Sequence, residues 1–390
     1  AFARGAAGAV VAIDVDVPDD RWIIRVQDTQ EALWQAAAWC RQRFCGMPIA
    51  VTGSVGKTTT RQMIHTVLGT RLQGSASPRN YNNHIGVPLS LLQTEPEHDY
   101  AVLELGASRR GEIASLAGLS APRLGVITQI GEAHLAGFGN RRAIAQSKAE
   151  LLAALPSDGH AVLADDPWLR AVADNCAAPI TWVGANANCD VRATDIETAP
   201  CLLTFRVSGC PFQVPVWGRH HLTAALCAVA VGRLLGFDLD EMSAAIRDFR
   251  PVAMRCEVLE IRGATVINDT YNANPTAMQA ALELVRDLEG QGRRIVVLGD
   301  MGELGEQSSR LHWELGRKAI VIAGADMLIA CGQFARYVTA GARSAGLAKS
   351  RAIPCDTIDQ TLPYLGQAML PGDIVLVKGS LTVGMERIIK

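Results

Sequence analysis

The stretch IAVTGSVGKTTTRQM, residues 49–63, places an apolar run before a glycine-containing turn and a helix-forming run after it. This order predicts a buried strand, a tight loop and a helix. A standard phosphate loop has four residues between its first glycine and the Gly-Lys-Ser/Thr triplet. Here only Ser54 and Val55 separate Gly53 from Gly56. The spacing therefore leaves two interpretations, a shortened phosphate loop or an ordinary tight turn that holds a lysine.

The strand before the turn and the helix after it favour the phosphate loop. Such a turn presents free backbone N–H groups and the positive end of the helix dipole to an anion. Lys57 adds a charge for terminal phosphates, and the hydroxyl of Thr58 is placed to bind Mg²⁺. The predicted nucleotide-binding residues of the loop are Gly53, Ser54, Val55, Gly56, Lys57, Thr58 and Thr59.

The length and the strand pattern predict more than one domain. Cores stop growing at roughly 250 to 300 residues, and the chain has 390. Residues 1–45 read as two short strands and an alanine-rich helix, too little for a core of their own. Residues 46–248 alternate apolar strands with helices, which predicts an α/β domain with a parallel, doubly wound sheet, interrupted by a polar β-rich passage at residues 181–216. The alternation restarts in residues 249–390, which predicts a second α/β domain.

Composition excludes several classes of protein. Hydrophobic residues make up 49% and charged residues 19% of the sequence, and the net charge is −2. This balance is typical of a globular protein and favours neither nucleic acid nor a membrane surface as a partner. No apolar run approaches the roughly 20 residues that span a bilayer. The ten cysteines contain no C-x-x-C pair, so reduced thiols and a cytoplasmic location are expected.

Glu104 ends the apolar run in YAVLELGASRRGEI. The carboxyl ends of parallel strands are where α/β folds bind ligands, so this carboxylate is a candidate Mg²⁺ ligand. The alternative is an ion pair with Arg109 or Arg110.

Two more candidates follow the next predicted strand, in VITQIGEAHLAGFGNRRAIAQSKAEL. His134 lies in the loop and is either a metal ligand or an ordinary surface residue. Lys148 lies on the helix after it, and composition alone does not favour a functional role over a charged surface pair with Glu150.

A dense polar cluster occurs in VINDTYNANPTAM, residues 266–278. A strand runs into this cluster, and Pro275 is suited to begin the next helix. The side chains Asp269 and Asn272 would supply polar groups to a nucleotide site, and Tyr271 a flat apolar face. The alternative is a helix cap by Asn274 or Thr270 with ordinary turn residues around it.

Taken in order, the motifs TGSVGKTTT, YNNHIGVPLSLL, ELGASRRGEI, AHLAGFG, AQSKAEL, NDTYNANPTAM, VLGDMGELG and VKGS resemble those of the Mur ligases. The resemblance extends from about residue 48 to the end. It implies a central ATP-binding domain of the P-loop type and a Rossmann-like C-terminal ligase domain. Within the family, the motifs favour the branch that joins D-Ala-D-Ala to UDP-MurNAc-tripeptide through an acyl phosphate in peptidoglycan synthesis. A cytoplasmic monomer acting on these small molecules is expected.

The resemblance also implies a metal site with two Mg²⁺ ions beside ATP. Thr58 and Glu104 would bind the first ion, and His134 the second. Lys148 matches a lysine that the family carries as a carbamate, an anion in place of the ammonium.

Other roles implied by the resemblance concern the substrates. Asn82 and Asn83 would lie near the muramoyl peptide. From the C-terminal domain, Asp269, Tyr271 and Asn272 would close over the nucleotide. Arg255 in MRCEV would assist at the phosphates as a catalytic residue, together with Lys57, His134 and Lys148.

The sequence departs from the family pattern at two places. His221 and Ala224, in RHHLTAALCA, stand where the family has asparagines that contact adenine. The Ser-x-Asp-Ser/Thr-Arg type of segment that grips the uridine nucleotide is not found in residues 1–45, which are expected to be a remnant of the UDP-binding domain.

Two alternatives to this function remain at the level of sequence. One keeps the chemistry but changes the amine acceptor, as in MurE-like, folylpolyglutamate or cyanophycin ligases. The other is a non-catalytic nucleotide-binding protein, although the presence of Lys57, Thr58, Glu104, His134 and Lys148 argues against it.

Overall fold

Two large β-sheets organise the chain, which a computed structural model describes over residues 1–288, 290 and 292–389. The first segment contains β1 (Gly8–Val11), β2 (Trp22–Arg25) and α1 (Thr29–Arg43). The strands that follow are β3 (Met47–Thr52), β4 (Gly74–Ala76), β5 (Tyr100–Glu104), β6 (Leu124–Ile127), β7 (His160–Ala164), β8 (Ile180–Gly184), β9 (Val191–Ala199), β10 (Leu202–Val207) and β11 (Cys210–Val214). Their helices are α2 (Lys57–Leu68), α3 (Gly86–Leu91), α4 (Glu112–Ser120), α5 (Leu135–Phe138), α6 (Arg141–Lys148), α7 (Glu150–Ala153), α8 (Pro167–Arg170), α9 (Leu222–Leu234) and α10 (Leu239–Arg247). We call this part the middle domain.

The remaining elements form the C-terminal domain. Its strands are β12 (Glu257–Ile261), β13 (Ala264–Asp269), β14 (Arg294–Gly299), β15 (Met327–Cys331), β16 (Ala352–Cys355) and β17 (Ile374–Lys378). Its helices are α11 (Pro275–Asp287), α12 (Ser308–Val321), α13 (Ala335–Ser344) and α14 (Ile358–Ala368). Short 3-10 turns along the chain lie at Phe2–Arg4, Ala173–Asn175, Arg219–His221, Gly305–Gln307, Lys349–Arg351, Leu381–Val383 and Met385–Ile388.

The first segment packs against the middle domain through α1. Its helix begins where the Asp28 side chain accepts hydrogen bonds from the first-turn N–H groups of Gln30 and Glu31, which satisfies donors that a helix otherwise leaves free. The indole Nε1 of Trp34 donates to the carbonyl of His84 at 2.8 Å. Further along α1, the Nε of Arg41 donates to a carbonyl near the end of α4 at 2.7 Å. The helix is therefore held at both ends.

The middle domain has a nine-stranded sheet in the order β11-β10-β9-β8-β7-β6-β3-β5-β4. Strands β3 to β8 run parallel to their neighbours, whereas β9, β10 and β11 pair antiparallel at one edge. The antiparallel edge is the polar passage predicted from the sequence. Strand β3 lies between β5 and β6, so the strand order reverses there, and the crevice beyond its carboxyl end is where such sheets bind ligands.

The C-terminal domain has a six-stranded sheet in the order β12-β13-β17-β14-β15-β16. Only β12 is antiparallel, at the edge. In the register of β13 and β17, Asp269 lies directly beside Lys378, and both residues end their strands.

The predicted α/β fold with two parallel sheets is confirmed. All strands of the nine-stranded sheet fall within residues 46–248, and all strands of the six-stranded sheet within residues 249–390, while the domain limits themselves stay predictions. Among the residues that the structure describes, no helix combines the length and the apolar character that a membrane crossing requires.

Candidate active site

The loop between β3 and α2 requires its glycines. Gly53 has φ 146° and Gly56 has φ 84°, a region that residues with a Cβ rarely adopt. A Cβ on Gly53 would also lie 2.1 Å from Oγ1 of Thr128. The same Thr128 hydroxyl donates to the carbonyl of Val55 at 2.5 Å, which fixes the loop against β6. The short spacing therefore gives a rigid cradle at the start of a 12-residue helix.

Lys57 begins α2 and folds back over the loop. Its Nζ donates to the carbonyl of Gly53 at 2.9 Å. Burial lowers the pKa of this ammonium, with Glu104 opposing the shift and Arg255 adding to it. A cation held next to free N–H groups is the arrangement that binds phosphate.

Glu104 is buried, and its carboxylate accepts hydrogen bonds from two neighbouring side chains. Its Oε2 accepts from Oγ1 of Thr58 at 2.9 Å, and its Oε1 accepts from Nδ2 of Asn82 at 2.8 Å. The alternative ion pair with Arg109 or Arg110 is wrong, since Glu104 forms no ion pair among the described residues and Nη2 of Arg110 donates to Gln146. The predicted oxygen pair of Thr58 and Glu104 is thus brought together by adjacent parallel strands.

Asn83 has a different environment from Asn82. Its Oδ1 accepts from the N–H groups of Ile85 and Gly86, at 3.1 and 2.9 Å, so it orders the turn that leads into α3. Asn82 is instead directed towards Glu104. Of the two predicted substrate-binding amides, one orients a carboxylate and the other orders its loop.

Arg255 reaches across from the C-terminal domain. Its Nη2 donates to Oγ1 of Thr58 at 3.0 Å, and its guanidinium stacks over the ring of Tyr271 at 4.1 Å. The Nε of Arg255 and the hydroxyl of Tyr271 are buried without a hydrogen-bond partner. Because unpaired buried polar groups are costly, these two atoms mark the place for a polar ligand.

Asp269 forms a buried ion pair with Lys378. Nζ of Lys378 lies 2.6 Å from Oδ2 of Asp269 and donates to the carbonyl of Asn272 at 2.8 Å. The carboxylate also accepts from the backbone N–H of Cys256 at 3.3 Å. Two of the three predicted nucleotide contacts of this domain, Asp269 and Asn272, are therefore held by a lysine on a neighbouring strand.

The start of α11, the helix after this cluster, agrees with the alternative interpretation, in which Asn274 caps the helix. Pro275 is its first residue, and Oδ1 of Asn274 accepts from the N–H of Ala277 at 2.9 Å. Capping and a binding role for Asp269 and Asn272 are therefore compatible.

Lys148 is almost completely buried, so the interpretation as an exposed pair with Glu150 is wrong. Glu150 instead accepts from the N–H groups of Gly111 and Ala114. The Nζ of Lys148 is 3.5 Å from the carbonyl of Ala107 and faces the ring of Phe138. Burial, with a smaller contribution from Lys57, lowers its pKa from 10.5 to about 7. The low-dielectric surroundings therefore favour the neutral amine more than water does at an exposed lysine.

His134 lies at the rim with the left-handed φ of 54°. Its Nδ1 contacts the carboxylate of Glu303 from the C-terminal domain. Burial lowers the pKa of this imidazole, and the hydrogen bond that it donates to Glu303 opposes the shift.

These elements surround one cavity of about 880 Å³ between the two domains. Every predicted site residue lines it except Gly53 and Lys148. His221 and Ala224, the two departures from the family pattern, also line it, and burial places the pKa of His221 well below its usual value. A volume of this size accommodates a nucleotide with part of a second substrate.

Sequence reasoning missed several residues of this cavity and its supports. Trp34 lines it from α1, Thr128 fixes the phosphate loop, Lys378 pairs with Asp269, and Glu303 contacts His134. Lys378 had a signal, a lysine at the end of the apolar strand DIVLVK. Glu303 also had a signal, since it lies in the motif VLGDMGELG. For Trp34 and Thr128 no local pattern distinguishes them from ordinary residues.

The donor set fits Mg²⁺ in part. Thr58 and Glu104 offer the oxygen ligands that Mg²⁺ prefers. Among the described residues, no three His, Cys, Asp or Glu side chains are grouped closely enough to hold a metal ion. A metal here would thus complete its shell with phosphate oxygens or water, which is usual for Mg²⁺ in nucleotide sites.

Comparison with known proteins agrees with this geometry. The description "Mur ligase middle domain" matches residues 51–232, and "Mur ligase, glutamate ligase domain" matches residues 254–381. The UDP-N-acetylmuramoyl-tripeptide–D-alanyl-D-alanine ligase of Bacillus subtilis (strain 168) is 34% identical over 394 residues, which cover 100% of this chain and 85% of that protein.

Solved structures extend the similarity. A crystal structure of MurF from Acinetobacter baumannii has a TM-score of 0.88 and 30% identity, and the match covers 100% of this chain and 85% of that one. MurF ligase from Thermotoga maritima in complex with ADP has a TM-score of 0.83 and 28% identity, with 100% and 88% covered. The present chain therefore belongs to the Mur ligase family.

Proposed function

We propose that the protein is an ATP-dependent, ADP-forming ligase that joins D-Ala-D-Ala to UDP-MurNAc-tripeptide in peptidoglycan precursor synthesis. The observation that carries the proposal is the interdomain cavity, where the loop of Lys57 faces Arg255 and the Asp269–Lys378 pair. Relatives that carry this name match the whole chain, and one similar structure holds ADP.

The reaction requires two bond exchanges. The terminal carboxylate of the tripeptide attacks the γ-phosphorus of ATP, and the bond from that phosphorus to ADP breaks, which leaves an acyl phosphate. The amine of D-Ala-D-Ala then attacks the acyl carbon, phosphate leaves with the electron pair of its C–O bond, and the nitrogen loses a proton. Lys57 and the loop N–H groups bind the terminal phosphates, and Arg255 neutralises negative charge from the opposite side.

Thr58 and Glu104 would hold one Mg²⁺, and His134 with Lys148 would serve a second. Bound Mg²⁺ supplies neutralisation of the charge that develops on the phosphoryl oxygens. The lowered pKa of Lys148, about 7, supports its conversion to a carbamate. Addition of CO₂ to the neutral amine forms an N–C bond, releases a proton and leaves an anion with two oxygens. The nearby cation of Lys57 would favour that anion.

The muramoyl peptide would enter beside α1. Trp34, Asn82 and Asn83 line this end of the cavity, while His221 and Ala224 line its wall from the start of α9. The first segment, residues 1–45, would be the part of a UDP-binding domain that reaches the cavity through Trp34.

We also infer a monomer that works in the cytoplasm. The ten cysteines form no disulfide, which agrees with a reducing compartment. Light scattering after size-exclusion chromatography would test the oligomeric state.

The test is phosphate release by purified protein with ATP and Mg²⁺. Release should require both UDP-MurNAc-tripeptide and D-Ala-D-Ala, and mass spectrometry should find the pentapeptide product. A panel of other amines, including glutamate and diaminopimelate, tests the choice of acceptor, and Lys57→Met gives the inactive control. Release that is no greater than with ATP alone, or a preference for another amine, would contradict the proposal.

A further inference from the structure

One carboxylate of the C-terminal domain contacts the middle domain at the cavity rim. Glu303 meets Nδ1 of His134, and His134 lines the cavity. Because Glu303 occupies Nδ1, the other ring nitrogen, Nε2, remains available for a ligand. A histidine whose second nitrogen is fixed by a carboxylate is the arrangement that proteins use to orient a metal-binding imidazole.

Main-chain contacts accompany the side-chain contact. The N–H of Ala136 donates to the carbonyl of Glu303 at 2.9 Å. Nε2 of Gln307 lies 3.4 Å from the carbonyl of Gly139, and a Cβ on Gly305 would be 3.3 Å from Cα of Ala136. We call residues 301–307 the clasp. These contacts show a loop seated on its neighbour, rather than an isolated surface ion pair.

The backbone at both partners is unusual. His134 has φ 54° and Glu303 has φ 59°, and residues with a Cβ are uncommon in this left-handed region. Such conformations persist when the surroundings hold them, and they cluster at functional sites. Here two of them face each other across the domain interface.

We propose that Glu303 is a positioning residue, which orients His134 towards the cavity only when the clasp is docked. The proposal rests on the proposed function, since it assigns the oriented nitrogen to the Mg²⁺ and phosphate site of the ligase. Its consequence is that His134 reaches its working orientation only after the domains have closed. Closure also excludes water from the acyl phosphate, so positioning and protection of the intermediate occur together.

Glu303→Ala tests the proposal, with Glu303→Gln as a milder change and Glu306→Gln as the matched control. Glu306 lies in the same clasp, is exposed, and within the described parts of the chain makes no side-chain hydrogen bond or ion pair. In Glu303→Ala, kcat should fall about 10- to 100-fold and the half-saturating Mg²⁺ concentration should rise. Effects of this size are usual when a residue that orients a metal ligand is removed. KM for D-Ala-D-Ala should stay within about twofold, the limit we set for no effect. Glu303→Gln should be intermediate because its amide oxygen still accepts from Nδ1–H, and Glu306→Gln should match the wild type.

A second readout is independent of catalysis. Nitrogen-15 NMR of the histidine rings, with ADP to favour the closed domains but without Mg²⁺, should find His134 as the Nδ1–H tautomer in the wild type and in Glu306→Gln. Glu303→Ala should lose that preference. A wild-type tautomer and wild-type Mg²⁺ response in Glu303→Ala would overturn the inference. If instead the wild type lacks ligase activity, the proposed function fails, and the tautomer measurement still decides whether Glu303 positions His134.

Discussion

Lys378→Met is the substitution whose effect the structure defines most sharply. The side chain of Lys378 is 1% exposed and that of Asp269 is 12% exposed, with Nζ and Oδ2 2.6 Å apart. Removing the lysine leaves a buried carboxylate without its cation and frees the carbonyl of Asn272. Loss of one partner of a buried pair costs about 3 to 5 kcal/mol. We expect a loss of this size from the free energy of unfolding of the C-terminal domain.

The corresponding thermal shift can be worked out. Unfolding entropy is about 2.1 cal/mol/K per residue, so the roughly 130 residues of the domain give about 0.3 kcal/mol/K. A cost of about 3 to 5 kcal/mol then lowers the midpoint of this domain by roughly 10 to 18 °C. Differential scanning calorimetry is the suitable assay because it resolves the transitions of separate domains.

The matched control is Arg387→Met in the same domain. Arg387 and Asp359 are 2.8 Å apart but 56% and 74% exposed, and an exposed pair is worth about 0 to 1 kcal/mol. Equal midpoints for Lys378→Met and Arg387→Met would refute the reasoning, since burial would then not decide the energy. The double variant Asp269→Asn/Lys378→Met should recover stability relative to Lys378→Met, because no unpaired charge remains.

Two further predictions concern the phosphate loop and Lys148. Gly53→Ala should weaken ADP binding at least about 10-fold by calorimetry, because the added Cβ would meet Thr128 and an alanine would be strained at this φ. The control Gly118→Ala, with open space around the added Cβ, should bind ADP normally. Equal affinities of the two variants would contradict the prediction. The lowered pKa of Lys148, about 7 against 10.5, means that between these values the unfolded chain binds a proton that the folded chain lacks. The resulting penalty is full below about pH 7 and disappears as the pH rises to 10.5, amounting to roughly 5 kcal/mol at most. In CO₂-free buffer, Lys148→Met should therefore raise the free energy of unfolding, measured with urea, more at pH 6.5 than at pH 9.5. A gain in the free energy of unfolding that does not change with pH would contradict this prediction.

Much of the site could be predicted because its signals are local. The turn between β3 and α2 is defined by neighbouring residues, since Gly53 and Gly56 supply the backbone angles and Lys57 follows at once. The cap at Asn274 and the helix start at Pro275 are local in the same sense. The order of motifs along the chain then predicted the family, which the comparisons confirm.

Pairs between distant residues could not be predicted from such signals. Glu104 has two arginines close in sequence, yet it binds Thr58 and Asn82 because α2 and the loop before α3 lie beside the end of β5. The sequence around Lys148 fits an exposed helix, and only packing shows that its amine is buried.

The sequence by itself determined the α/β fold and the strand–loop–helix turn at residues 53–59, because strand and turn propensities act over a few residues. Asn82, Asn83 and Arg255 were found only through the order of motifs that resembles the family. The tertiary structure alone decided which of these groups face each other. Sheet order and register placed Asp269 beside Lys378. The packing of the two domains placed Arg255 on Thr58 and Glu303 on His134. Charges and hydrogen bonds act through space, so their partners, and the pKa of a buried group such as Lys148, depend on the folded arrangement rather than on neighbours in the chain.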